Sequence, residues 1–152
     1  SCWLALGPIG TAALALLVLG EHAPQVLATL GLQNIGVFLQ QAGIFGTLIL
    51  LGFGLWWWGI AVLNTLKHAK NLPFNLGWWG LTFPFGVFTL AVFNLGHQTQ
   101  FVGFNHVAFG FASVLIMLWL LVMSKTIHGF YQGNLFFSPC LQADLNKSTD
   151  LV

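Results

Sequence analysis

Residues 76–95, LGWWGLTFPFGVFTLAVFNL, decide the fold of this chain. They contain no Asp, Glu, Lys or Arg, and they match the roughly 20 residues that a helix needs to cross a bilayer. Polar and apolar residues do not alternate along them, which argues against a strand of a membrane barrel. Because each unpaired backbone group in lipid costs several kcal/mol, the stretch predicts a transmembrane helix.

The rest of the chain contains three more uncharged runs of this kind. Of its 152 residues, 57% are hydrophobic and 5% charged, whereas soluble domains carry roughly 25% charged residues. We predict an all-α, polytopic bundle of about four spans that form two hairpins. A transmembrane domain is predicted at 1–130 and a tail at 131–152, with spans at about 2–20, 39–66, 76–95 and 104–125.

Three connectors separate the predicted spans. A long one runs from His22 to about Gly36 and includes Pro24. The second is a short turn at residues 71–73, where proline cannot continue a helix. The third is a polar turn at residues 96–100.

The lysines predict the orientation in the membrane. In an antiparallel four-span bundle all of them fall on one face, namely Lys67, Lys70, Lys125 and Lys147. The opposite face carries Glu21, His22 and His97 but no lysine. The positive-inside bias therefore predicts a cytoplasmic lysine face and a cytoplasmic C-terminus. Tryptophans near this face, at positions 56–58 and 78–79, are interpreted as interfacial anchors.

An internal repeat relates the first and third spans. Residues 3–20, WLALGPIGTAALALLVLG, align with residues 79–96, WGLTFPFGVFTLAVFNLG, at a constant offset of 76. The matches that matter most in so apolar a sequence are Trp3 with Trp79, Pro8 with Pro84, and Gly10 with Gly86. We infer that the two spans are equivalent members of successive hairpins.

Proline and glycine inside a span predict a role in lining a path. Proline removes a helix hydrogen bond and kinks the helix, and glycine lets backbones approach closely. Irregular backbone at membrane depth is tolerated where it faces protein or a watery cavity. The predicted kinks are at Pro8, Gly10, Pro84 and Gly86. The alternative is that these residues serve helix packing only.

The chemistry of the chain points to transport of small anions. No charged residue lies inside a predicted span, which argues against an intramembrane proton relay. A neutral, narrow lining suits small anions held by backbone dipoles and hydroxyl groups. The candidate hydroxyl residues are Thr11, Thr82 and Thr89.

Other classes of function find little support in the sequence. No nucleophile, general base or phosphate-binding loop indicates an enzyme, and the near-zero net charge offers no surface for nucleic acid. Cys2 and Cys140 are interpreted as free thiols, and no metal or other cofactor is predicted. A haem-binding subunit is an alternative because five histidines are present, but they fall near the interfaces: His22, His68, His97, His106 and His128.

One stretch resembles a known family. Residues 73–91, PFNLGWWGLTFPFGVFTLA, resemble the signature of the tellurite-resistance/dicarboxylate transporter family, which includes malate permeases, sulfite efflux pumps and slow anion channels. Residues 3–10 resemble an earlier inner helix of that family, and residues 135–141 its C-terminal end. The resemblance is closest to the malate/sulfite branch.

The resemblance implies an architecture and a gate. It implies ten spans in five hairpins around a pore, of which this chain supplies the last four, so we expect a fragment of a longer protein. It also implies a pore-plugging phenylalanine, which falls on Phe83, with Phe85 as the second choice. Homo-trimers in the plasma membrane are implied as well. The substrate stays open among malate, sulfite, tellurite-related oxyanions and chloride, and a non-transporting scaffold subunit is the other alternative.

Overall fold

A computed structural model describes residues 2–68 and 76–131 of the chain. After a 3-10 turn at Cys2–Ala5, helix α1 spans Leu6–Ala28 and helix α2 spans Gln33–His68. A second 3-10 turn at Leu76–Trp78 leads into helix α3, Trp79–Thr99, and helix α4 spans Val102–Tyr131. All four helices are long and apolar enough to cross a membrane, and the described residues contain no strand. The predicted all-α bundle is confirmed.

The helices form two antiparallel hairpins. At one end of the bundle the start of α1 meets the end of α2, where the indole nitrogen of Trp3 donates a hydrogen bond to Thr65. The start of α3 meets the end of α4 at the same end, where Trp79 donates to Thr126. Lys67 and Lys125 lie there, and we call it the lysine end.

The opposite end joins the two hairpins. Gln98, in the last turn of α3, donates from Nε2 to a carboxylate oxygen of Glu21 in α1 over 3.0 Å. We call this the glutamate end. Helices α1 and α3 therefore lie side by side in the centre, with α2 packed mainly against α1 and α4 mainly against α3.

Glycines set the close approach of α1 and α2. A Cβ atom on Gly43 of α2 would lie 2.7 Å from the carbonyl oxygen of Leu16 in α1. In the middle of this interface Thr47 donates to the carbonyl of Ala13 over 3.1 Å and is fully buried. Small residues and interhelical hydrogen bonds are the usual means of joining helices in lipid, where apolar burial provides little drive.

The predicted connector at His22 to Gly36 is wrong in its extent. Helix α1 continues through Glu21, His22 and Pro24 to Ala28, and the turn lies only at residues 29–32. The prediction ended the helix where the uncharged run ended. The helix continues because its last turns pack closely against the start of α2. A Cβ on Gly36 would lie only 2.6 Å from Cα of Pro24.

The predicted polar turn at 96–100 is also displaced. Helix α3 runs to Thr99, and the turn is made by Gln100, in the left-handed conformation with φ of 55°, and Phe101. Gln98 holds this last turn against α1 because its Nε2 also donates to the carbonyl of Leu17 over 3.1 Å. The turn predicted at 71–73 and the tail from residue 132 onward lie outside the described residues.

Each predicted span falls on one of the four helices, with the two 3-10 turns included. How much of each helix lies within the bilayer stays a prediction, as does the boundary of the domain at residue 130.

Candidate anion path

The region around Pro84 on α3 brings the predicted site residues together. Pro84 is buried inside α3, where it cannot donate a hydrogen bond to the carbonyl of Gly80. On the α1 side it faces Gly7, on which a Cβ would lie 3.8 Å from the proline ring. Proline and glycine at this contact let the two central helices approach each other.

Phe83 and Phe85 point to different sides of α3. Two residues along an α-helix are about 200° apart around its axis, so only one of these rings can face a given neighbour. The Phe83 side chain is 69% exposed, whereas that of Phe85 is 0% exposed. The two candidates for the pore-plugging residue therefore occupy opposite environments.

Phe85 lies in an aromatic cluster that joins α2, α3 and α4 to the 3-10 turn ahead of α1. Its ring stacks on Trp58 of α2 with centroids 5.9 Å apart, and it meets Phe111 of α4 at 5.4 Å. Trp3, ahead of α1, approaches edge-on at 6.1 Å. Offset and edge-to-face pairs at these distances are favourable beyond the area that they bury. Phe85 thus acts in packing within the described chain.

Phe83 lies beside an open apolar groove between α3 and α4. The groove has a volume of about 410 Å³ and is lined by Thr82, Phe83, Leu115, Ile116 and Trp119. On the same side of α3, Leu90 follows Phe83 after seven residues and is 48% exposed. This uncovered side of α3 carries no Asp, Glu, Lys or Arg, and His97 lies at its end.

The predicted threonines use their hydroxyl hydrogens within their own helices. Thr82 donates to the carbonyl of Trp79 over 2.8 Å, and Thr11 donates to that of Gly7 over 2.9 Å. Thr89 donates to Phe85 over 2.8 Å and is buried, whereas Thr11 is exposed and Thr82 half-buried. In this arrangement none of the three hydroxyl hydrogens is left to donate to an anion.

The two Pro-x-Gly segments differ in their structural setting. Pro8 lies in the first turn of α1, where its missing N–H group has no helical partner to lose, whereas Pro84 lies inside α3. Gly10 packs tightly, because a Cβ there would lie 2.8 Å from the backbone nitrogen of Phe88. Gly86 meets only the end of Leu115, at 3.6 Å. Gly10 therefore serves the close packing of α1 against α3, whereas Gly86 is less tightly packed.

The exposed side of α1 is as uncharged as that of α3 over most of its length. Pro8 and Thr11 lie on it, followed at helical spacing by Ala15 and Leu19, and all four are exposed. At the glutamate end, Glu21 lies two residues after Leu19, about 200° around the helix axis, and faces α3, where it contacts Gln98.

The tryptophans predicted as interfacial anchors behave differently from one another. Trp56 is 59% exposed, which suits an anchor. Trp57 donates to the carbonyl of Cys2 over 2.8 Å, and Trp58 packs into the aromatic cluster. Two of these three rings thus connect α2 to the inner helices.

The indole–threonine pairs and the Glu21–Gln98 contact were missed from the sequence. Trp3 and Thr65 are 62 positions apart, and Trp79 and Thr126 are 47 apart. No local spacing pattern signals such pairs. The repeat did identify Trp3 and Trp79 as equivalent, but the partner threonines fall outside the aligned residues.

The histidines of α1 and α2 make local contacts. The Nδ1 atom of His22 lies 2.9 Å from the carbonyl oxygen of Val18, and that of His68 lies 3.0 Å from the carbonyl of Asn64. Within residues 2–68 and 76–131, no group of three or more His, Cys, Asp or Glu side chains comes together as a metal site would require.

Comparisons with known proteins show the family to which the sequence belongs. Residues 1–127 match the sequence model of SLAC1, the voltage-dependent anion channel family. The chain is 32% identical over 138 residues to the sulfite efflux pumps SSU1 of Arthroderma otae and Trichophyton rubrum, each match covering 90% of the chain and 36% of the relative.

Another relative comes from an archaeon. An uncharacterized transporter of Methanocaldococcus jannaschii is 29% identical over 136 residues, which cover 88% of the chain and 36% of that protein. The chain thus spans about a third of the length of the curated relatives that it matches. No solved structure matches it significantly.

Proposed function

The chain belongs to the SLAC1 family of voltage-dependent anion channels, and from this premise we propose that it forms part of a membrane path for small anions. The path follows the uncovered, uncharged sides of α1 and α3. Its lysine end faces the cytoplasm, and the protein resides in the cell membrane, in keeping with the positive-inside bias.

Phe83 is the proposed gate of this path. The observation that carries the proposal is the contrast at Pro84, where one neighbouring ring is 69% exposed and the other is sealed in an aromatic cluster. A large ring on the uncovered side of an inner helix blocks a narrow path sterically. Phe85 supports this arrangement by fixing the backbone of α3 from the opposite side.

Size and dipoles, rather than hydroxyl groups, select the anion in this proposal. Thr11 and Thr82 lie beside the path, but their hydroxyl hydrogens are bonded to backbone carbonyls. A neutral, narrow lining then discriminates among anions by whether they fit the constriction. Sulfite and C4-dicarboxylates such as malate are the proposed substrates. The names of the sulfite efflux pumps among the relatives support the first.

Flux through the intact protein in lipid vesicles tests the gate. Replacing Phe83→Ala removes the ring from the path, and we expect the initial rate of sulfite or chloride flux to rise severalfold. Phe93→Ala is the matched control, because Phe93 is also exposed on α3 but contacts Phe109 of α4 edge-on.

Two results would contradict the proposal. An unchanged flux in the Phe83 variant would remove the gate assignment. The absence of any anion flux from the intact wild-type protein would favour a scaffold subunit instead.

The outer helices offer surfaces for assembly. On α4, Ile116, Met117 and Leu120 are all more than half exposed. We include in the proposal that copies of the intact protein associate as trimers through such outer faces. Chemical cross-linking in the membrane would show a trimeric species.

A further inference from the structure

Glu21 is the one acidic side chain of the described residues, and it lies where the two inner helices meet. The charged amines of those residues, Lys67 and Lys125, are at the other end of the bundle. His22 and His97, at the glutamate end, are exposed. Within the described residues, the fixed charges are thus negative at one end of the bundle, on the inner helix α1, and positive at the other, on the outer helices α2 and α4.

Gln98 holds the carboxylate of Glu21 at the junction of α1 and α3. The Gln98 side-chain nitrogen donates to Glu21 over 3.0 Å and to the carbonyl of Leu17 over 3.1 Å. The amide oxygen of Gln98 is buried and has no hydrogen-bond partner among the described residues. An amide tied to both helices restricts how far the carboxylate can swing away.

We propose that Glu21 is an electrostatic barrier at the glutamate end of the path, and that it slows divalent anions more than monovalent ones. This inference rests on the proposed function, because it assumes that anions pass along α1 and α3. A negative charge near the opening lowers the local concentration of anions, and the repulsion energy doubles for a doubly charged ion. The lysine end has the reverse effect and concentrates anions.

Replacing Glu21→Gln tests the barrier with little change of shape, since the amide oxygen can still accept the hydrogen bond from Gln98. In vesicles holding the intact protein, we expect chloride flux at low ionic strength to rise by about two- to fivefold, the effect of one unit charge a few ångströms away in water. Malate flux should rise by about the square of that factor, because its charge is twice as large.

Salt provides an independent readout that a purely structural role for Glu21 would not produce. The Debye length is about 30 Å at 0.01 M ionic strength and about 3 Å at 1 M. The difference between wild type and Glu21→Gln should therefore disappear in 1 M salt. Glu21→Asp, which keeps the charge, should retain most of the wild-type barrier.

A control charge distinguishes a local from a general effect. Gln33→Glu adds a carboxylate in the first turn of α2, at the tip of the first hairpin, and should change both fluxes by much less than the replacement of Glu21 does. The barrier is overturned if chloride flux in the Glu21→Gln variant equals that of wild type at low salt, or if the increase persists in 1 M salt. Failure of the proposed function looks different, because wild-type protein would then carry no anion flux at all.

Discussion

The indole nitrogen of Trp3 donates a 2.8 Å hydrogen bond to the hydroxyl oxygen of Thr65, and Trp79 donates to Thr126 in the same way over 3.2 Å. In both hairpins a tryptophan at the start of the inner helix thus ties down the end of its outer helix. Each threonine in turn donates to the carbonyl four residues earlier, Ala61 in α2 and Val122 in α4. The repeat in the sequence is therefore also a repeat of tertiary contacts.

Removing this contact should weaken the hairpin that contains it. Trp79→Phe keeps most of the ring but deletes the donor, and Thr126→Val deletes the acceptor at nearly constant volume. We expect each to lower the unfolding free energy by about 0.5–1.5 kcal/mol, the usual range for interhelical hydrogen bonds in membranes. Unfolding of the detergent-solubilised intact protein measures this.

The double variant decides whether the two residues act as a pair. If the hydrogen bond carries the effect, Trp79→Phe with Thr126→Val should cost little more than either change alone. Thr126→Ser, which keeps the hydroxyl, is the control and should lie close to wild type. Additive losses in the double variant would mean that the residues contribute separately.

Glycine at position 43 should be required for the close packing of the first hairpin. In Gly43→Ala the new Cβ would lie 2.7 Å from the carbonyl oxygen of Leu16, so α1 and α2 must move apart. We expect destabilisation by about 1–3 kcal/mol, as for other overpacked interfaces. Thermal unfolding in detergent reports the change.

The same helix provides the control for that experiment. A Cβ on Gly52 of α2 would have no atom within 4 Å. Gly52→Ala should therefore be neutral or stabilise the protein by up to about 1 kcal/mol through helix propensity. Equal losses at both positions would show that the interface does not depend on the contact at Gly43.

Two neighbouring alanines on α1 test whether its uncovered side borders water. Ala12 is exposed, and Ala13 is 0% exposed beneath Thr47. In the intact protein, with Cys2 and Cys140 replaced by serine, Ala12→Cys should react with a charged thiol reagent. Ala13→Cys should remain unlabelled.

Labelling of both cysteines would indicate a loosened bundle, and labelling of neither would place this side of α1 against lipid or protein. Because the reagent is charged, its access requires water beside the helix. Protection of Ala12→Cys by an excess of permeant anion would strengthen the assignment of the path.

Composition and the repeat predicted the number of helices and their hairpin arrangement, and the resemblance of residues 73–91 predicted the family. The boundaries of the helices were harder to predict. The length of an uncharged run reflects the lipid around a helix, whereas the ends of the helix depend on its contacts with the rest of the chain. Glu21 and Pro24 look like the end of a helix when read alone. In the folded chain Gly36 and Gln98 supply the packing and hydrogen bonds that carry α1 and α3 further.

The candidate site could likewise be predicted only in part from the sequence. Helical geometry places Phe83 and Phe85 on different sides of α3, but the sequence alone does not tell which side is covered. That depends on Trp58 and Phe111, which come from segments distant along the chain. The three threonines predicted to line the path stand out in the sequence, but their hydrogen-bond partners could be assigned only from the coordinates.

The two hairpins differ in height. The contact of Glu21 with Gln98 sets α1 level with the end of α3, yet α1 continues for seven more residues, to Ala28. At 1.5 Å per residue the tip at 29–32 projects about 10 Å beyond the shorter hairpin. A peptide epitope inserted at Gly31, whose positive φ of 74° already marks a turn, would stand clear of the rest of the bundle. An antibody applied to unbroken cells could then report which compartment this end of the molecule occupies.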